Sequence, residues 1–170
     1  KSDSDKSSSL NAILFTKIAG GVLLLFSVFV TLASVSYLFS WRADQSILDD
    51  GIVNFVFDLT ENVPANFMGK LGAFFAHFFI YNGIGIGAFL LYPIFFIIGY
   101  NLYFNRVFRI KPKTASRLII IGIWVSLVCA LLFGKNSSLL SGLLGYGVYM
   151  FSKSLIGTIG IILLLVMVTI

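Results

Sequence analysis

The residues that could do chemistry are few, and their spacing does not assemble a reactive centre. The chain holds one histidine, one cysteine and seven acids. His77 has no acid at helical spacing, so a side chain on the polar face of an interfacial helix is a simpler role than metal ligand or proton carrier. Cys129 stands alone inside an apolar run, which excludes an intrachain disulfide and fits small apolar filling better than a reactive thiol. Asp49, Asp50 and Asp58 with His77 could form the outer surface site of a lipid-modifying enzyme, but no paired motif joins them. Gly83-Ile84-Gly85-Ile86-Gly87 lacks the strand and the full spacing of a dinucleotide loop, so it reads as a helix start or a close-packing feature. Gly134-Lys135-Asn136 is not a phosphate loop: no hydroxyl residue follows the lysine, and Cys129 stands where the first glycine belongs. Asn136-Ser137-Ser138 matches a glycosylation triplet, a pattern frequent by chance. No catalytic, metal-binding or cofactor-binding residue is expected in this segment.

What the sequence does carry is hydrophobicity. Apolar residues make up 58% of the chain and charged residues 11%, with a mean hydropathy of +0.99. Soluble domains sit near 45–50% apolar and about 25% charged. A water-soluble fold of this length could not hide so much apolar surface, so the solvent is lipid. Lys1 in place of a methionine, and Ile170 inside an unbroken apolar run, lead us to expect a segment of a longer protein.

The longest apolar stretch sets the layout. Between Leu71 and Phe104 the only titratable cation is His77. As one helix that stretch would reach about 51 Å, against a hydrocarbon core of about 30 Å. Tyr81-Asn82-Gly83 is the expected divider, with a surface helix over 67–80 before it and a span over 84–104 after it. The surface helix would place Phe67, Leu71, Phe74, Phe75 and Phe78 on one side and Lys70, Ala73 and His77 on the other. Pro93, near the middle of the span, should kink it.

The other elements follow. Residues 1–17 read as a polar cytoplasmic tail. Span one covers 18–39, closed by the interfacial pair Trp41-Arg42, with Ser27 and Thr31 as a small-residue contact face. The polar-leaning loop after it holds Asp44, Asp49, Asp50, Asp58 and Glu61, and a second amphipathic surface helix is expected over 51–60. Span three covers 118–134, where Gly122, Ser126, Ala130 and Gly134 recur every fourth residue, a stripe that lets helix backbones approach closely. Gly83 and Gly87 are further packing candidates. A Gly- and Tyr-rich connection over Lys135–Ser152 leads to span four, 154–170. Gly69-x2-Gly72 before Gly83-x-Gly85, and Gly142-x2-Gly145 before Gly157-x2-Gly160, form an internal echo.

Basic residues set the orientation. The tail and the middle loop hold eight of the twelve: Lys1, Lys6 and Lys17, then Arg106, Arg109, Lys111, Lys113 and Arg117. Anionic lipid and topology explain that middle cluster more simply than DNA phosphates do. The expected fold is therefore an all-α integral membrane domain: four transmembrane helices, amphipathic surface helices in the outer loops, both termini cytoplasmic.

The order of these features resembles one family. Trp41-Arg42-Ala43-Asp44-Gln45-Ser46 is similar to the start of the external loop of the FtsK/SpoIIIE DNA translocases. Gly69-Lys70-Leu71-Gly72-Ala73-Phe74, His77 to Gly83, and Gly85-x2-Ala88-Phe89-Leu90 resemble their second membrane segment. Leu144-Gly145-Tyr146 and Ile156-Gly157-Thr158-Ile159-Gly160 resemble the start of their fourth. The likeness implies a four-span anchor of a septal, ATP-driven DNA pump in the bacterial inner membrane, acting in cell division and chromosome partition. It implies lipids, other division proteins and further copies of the chain (a hexamer) as partners. ATP, Mg and DNA would be bound only by a downstream motor, to which no residue here corresponds. A small multi-pass transporter or channel subunit, with Asn82 near a solute, is the alternative; the uncharged spans weigh against it. The stripe on span three is the expected self-association face.

Overall fold

The computed structural model describes residues 3–48, 64–105, 112–134 and 138–169. The surface helix expected over 51–60, the acids Asp49, Asp50, Asp58 and Glu61, and the basic residues Arg106, Arg109 and Lys111 lie outside the described residues.

Among the described residues every element is helical. Four stretches are long and apolar enough to cross a membrane: Leu10–Arg42, Gly69–Leu90, Lys113–Phe133 and Leu139–Met167. The chain is an all-α membrane protein, as composition requires.

Helix α1 runs unbroken from Asp3 to Leu48, 46 residues. The polar tail is thus helical from Asp3 and continuous with the first apolar stretch, because nothing in it terminates a helix. At its other end the helix passes the expected limit at Phe39 and carries Trp41 and Arg42 with it.

Helix α2 (Gly69–Ala76) continues into a wider π-helical segment, His77–Ile84. The rod breaks at Gly83 (φ −86°, ψ −131°) and Gly85 (φ 61°, ψ −138°), conformations close to glycine's alone at the second position. A tight 3₁₀ segment, Gly85–Leu90, follows, then α3, Tyr92–Phe104. Pro93 does not kink the middle of a span. It lies in the first turn of α3, where a missing amide costs nothing because first-turn amides have no intrahelical acceptor. The change of direction lies upstream, at the glycines.

The face of α2 is the reverse of a surface helix. Ala73, Ala76, His77 and Ile80 are buried, whereas Phe67, Leu71 and Phe78 point outward, Phe67 with 87% of its surface exposed. The helix crosses α1 between Phe26, which meets Phe75 edge-on at 5.2 Å, and Tyr37, which meets His77. In lipid, large apolar side chains gain nothing by leaving their solvent, so the small face turns inward, where backbones can approach.

Helix α3 runs antiparallel along α1. Ser27 of α1 meets Tyr92 at one end, and Gly20 meets Gly99 and Tyr103 at the other. Helix α4 (Pro112–Phe133) ends at Gly134 in a left-handed conformation, φ 59°. Helix α5 spans Ser138–Thr169 but breaks at Gly142 (φ 67°, ψ 167°) and Gly157 (φ 70°, ψ 175°). The connection expected over Lys135–Ser152 is therefore helical from Ser138 onward. Its glycines, numerous enough to look like a loop, serve as two breaks and a close-packing contact.

The internal echo is a structural repeat. Gly69 and Gly142 share φ 67°, and Gly85 and Gly157 follow them sixteen and fifteen residues later, also at positive φ. Gly72 lies over α1, where an added Cβ would stand 3.4 Å from that of Ala33; Gly145 lies over α4, where it would stand 3.0 Å from that of Ser126. Ser27 donates to the Tyr92 carbonyl at 2.9 Å, and the Trp124 indole donates to the Leu165 carbonyl at 3.1 Å. Each half is a long helix, a short helix bounded by glycine breaks, and a returning helix.

Candidate functional site

The two halves meet where their breaks meet. A Cβ on Gly85 would collide with the backbone of Leu140 and Ser141, and one on Gly142 with the Gly83 carbonyl and, at 2.5 Å, the Gly85 amide nitrogen. Breaking a helix in lipid frees backbone groups that have no water to bond, at several kcal/mol each. Here each break is packed against the other, and backbone lies on backbone because no side chain intervenes. Next to them Gly87 touches Gly122: a Cβ on Gly122 would lie 3.0 Å from the Gly87 carbonyl oxygen. Ser126 donates its hydroxyl proton to the Ser141 carbonyl, and both serines are fully buried.

This arrangement corrects the expected role of the stripe on α4. Gly122, Ser126 and Ala130 are buried inside the subunit, against the 3₁₀ segment and α5; Ala130 packs in a cluster with Tyr149, Ile161 and Leu165. Their face is filled by the chain's own 3₁₀ segment and α5 and cannot also receive another copy. Gly134 lies at the end of α4, and among the described residues nothing stands within 4 Å of where its Cβ would be. Of the topology residues, Lys113 and Arg117 are described, and both are exposed at the start of α4.

A polar seam ties α1 to what crosses it. Ser34 and the Tyr92 hydroxyl are 2.6 Å apart. The Tyr37 hydroxyl is 2.9 Å from His77 Nδ1, and the His77 ring stacks on Tyr81 with centroids 4.7 Å apart. Asn66 donates to the Ala33 carbonyl at 2.9 Å and accepts from the Met68 amide at 3.0 Å, while the Phe67 amide donates to Ser36 Oγ at 2.9 Å. Among the described residues no buried side-chain nitrogen or oxygen lacks a partner. His77 is thus a buried structural side chain rather than an interfacial one. Thr31 bonds back to the Ser27 carbonyl of its own helix, so of that pair Ser27 alone reaches α3.

Sequence reasoning missed the close backbone contact between α1 and α3. A Cβ on Gly20 would lie 2.5 Å from the Tyr103 amide nitrogen, and one on Gly99 2.7 Å from the Leu24 amide nitrogen and 3.0 Å from the Gly20 carbonyl oxygen. The signal was present as Gly20-Gly21 inside an otherwise bulky span. Asn82 lies beside the break in a crevice of about 290 Å³ with Phe78, Phe79, Ile119, Ile123 and Leu144. A second groove, about 380 Å³, runs between α1 and α3 past Ser27, Thr31, Tyr92 and Pro93. Both are apolar in the main, and no three His, Cys, Asp or Glu side chains come together among the described residues. What this constellation can do is hold helices in fixed register.

No curated protein and no solved structure matches the chain. One family model does, over residues 14–170, nearly the whole length: the 4TM region of DNA translocase FtsK/SpoIIIE. With its four apolar stretches, its paired glycine breaks and this match, the chain belongs to the FtsK/SpoIIIE four-transmembrane family.

Proposed function

We propose that this domain anchors an ATP-driven DNA translocase in the bacterial inner membrane at the division septum and takes part in its assembly from several copies. The ATP-, Mg- and DNA-binding motor would lie on the cytoplasmic side, beyond this segment, and the role would be in cell division and chromosome partition. The family match over residues 14–170 carries this reading. The geometry supports it: a helical unit whose described buried side-chain polar atoms are all paired suits an anchor, with contacts to lipids and other division proteins left to its outer surface. Cytoplasmic termini are supported by the eight-to-four distribution of basic residues.

Two measurements test the reading. The domain fused to a fluorescent protein should concentrate at midcell in dividing bacteria; uniform envelope fluorescence would remove the septal assignment. In a Cys129→Ala background, a cysteine at Arg42 should react with a membrane-impermeant maleimide in intact cells, and one at Lys113 only after lysis. The opposite pattern would invert the topology.

A further inference from the structure

Among the described residues, two of the repeat's four glycine breaks are uncovered. Within the chain, the second break of the first half (Gly83–Gly85) is covered by the first break of the second half (Leu140–Gly142). Gly69 is the first break of the first half and Gly157 the second break of the second half. Both have positive φ, and among the described residues neither has any atom within 4 Å of where a Cβ would stand. Gly157 falls inside the apolar stretch Leu139–Met167, flanked by Leu155 at 67% and Ile159 at 77% exposure. Exposed apolar side chains are ordinary in lipid and argue nothing by themselves. An open break in lipid is different, because the backbone it frees has no water to turn to.

The geometry points to a second copy of this chain as the cover, docked head to tail so that Gly157 of one copy meets Gly69 of the next, repeating between subunits the Gly85–Gly142 junction found within each. The positions correspond: Phe67 and Met68 stand where Leu140 and Ser141 do, and Leu155 stands where Gly83 does. The equivalence is carried by the breaks. Where Gly87 meets Gly122 through backbone, the corresponding residues are Ile159 and Phe29, which would meet through side chains. A contact between two different patches is heterologous, so it closes into a ring if the rotation allows and needs no two-fold axis. The stripe on α4 is already occupied and plays no part. This inference deepens the assembly half of the proposed function and rests on it.

The test uses the chain in native membranes, with Cys129→Ala as the parent. Phe67→Cys is placed in one tagged copy and Leu155→Cys in a second, differently tagged copy, and disulfide formation is induced. The mixed pair should crosslink, neither variant should crosslink to itself, and the double variant should give a ladder of oligomers. Each single variant should keep the parent's unfolding midpoint in detergent, so that a missing product reports geometry rather than misfolding. Self-crosslinks of Phe67→Cys or Leu155→Cys alone would mean a two-fold contact and overturn the seam. Stepwise photobleaching of a fluorescently tagged parent counts copies independently. An oligomer without the mixed crosslink overturns this seam and leaves assembly standing; single copies throughout overturn both.

Discussion

Gly142 and Gly157 have almost the same backbone conformation, φ 67° and ψ 167° against φ 70° and ψ 175°, in opposite surroundings. That makes them a matched pair. An alanine at either must be held in a region that side chains avoid, at about 1–3 kcal/mol. At Gly157 the added methyl meets nothing within 4 Å among the described residues, so in a monomer strain is the whole cost. At Gly142 the methyl is driven into the Gly83 carbonyl and the Gly85 amide. Backbone cannot rotate away as a side chain can, and overpacking of this kind adds about 1–3 kcal/mol. Gly142→Ala should therefore cost about 2–6 kcal/mol and Gly157→Ala about 1–3 kcal/mol, against a typical total stability of about 5–15 kcal/mol. The measurement is equilibrium unfolding by sodium dodecyl sulfate in mixed micelles dilute enough to hold single copies, so that any intersubunit contact at Gly157 is absent. Equal costs at the two positions would mean that the breaks do not press on each other, and the account of the junction would fail.

Three further outcomes follow from the seam and the helix contacts. In a double-mutant cycle, Ser34→Ala and Tyr92→Phe should couple by about 0.6 kcal/mol and no more than about 1.7 kcal/mol, the range for hydrogen bonds between membrane helices; additive effects would mean that the 2.6 Å contact contributes nothing. Gly99→Leu should separate α1 from α3 and lower stability by about 1–3 kcal/mol in the same assay, whereas an unchanged midpoint would contradict the close approach to Leu24 and Gly20. Among the described residues nothing stands within 4 Å of where a Cβ on Gly147 would be, inside the helical part of α5, so Gly147→Ala should raise stability by about 0.5–1 kcal/mol; a loss would show that its flexibility or its surface is used.

Much of this was legible from residues alone, and the misreadings share one cause. The excess length of Leu71–Phe104 required a break, and glycines mark it. Class and family followed from hydropathy and the order of soft motifs. What could not be read was which side of a helix faces inward. Along α2 and its flanks the row of large apolar residues Phe67, Leu71 and Phe78 draws the eye as the buried face, a rule made for water. In lipid the contrast lies between large and small, and Ala73, Ala76 and Gly72 form the inner face. The same habit made a loop of the Gly- and Tyr-rich stretch before span four and an outer surface of the stripe on α4. Sequence showed that Gly122, Ser126 and Ala130 would pack closely; it held no signal that the partner of Ser126 was Ser141, fifteen residues downstream.

The repeat explains why that partner is so near. Two halves built on one plan need a contact between non-identical elements, and a glycine break gives each half a complementary edge without a dedicated interface. The buried clusters show how the plan tolerates divergence. In the first half a large Tyr37 on the long helix shares its cluster with a small Ala76 on the short one; in the second, a small Ala130 shares its cluster with a large Tyr149. The volume has changed sides, which is how close-packed cores accept substitution. The glycines cannot trade in this way, because at Gly85 and Gly142 both conformation and contact exclude a side chain. Side-chain identity in this domain is therefore free to drift in pairs, and the positions that fix its architecture are those with no side chain at all.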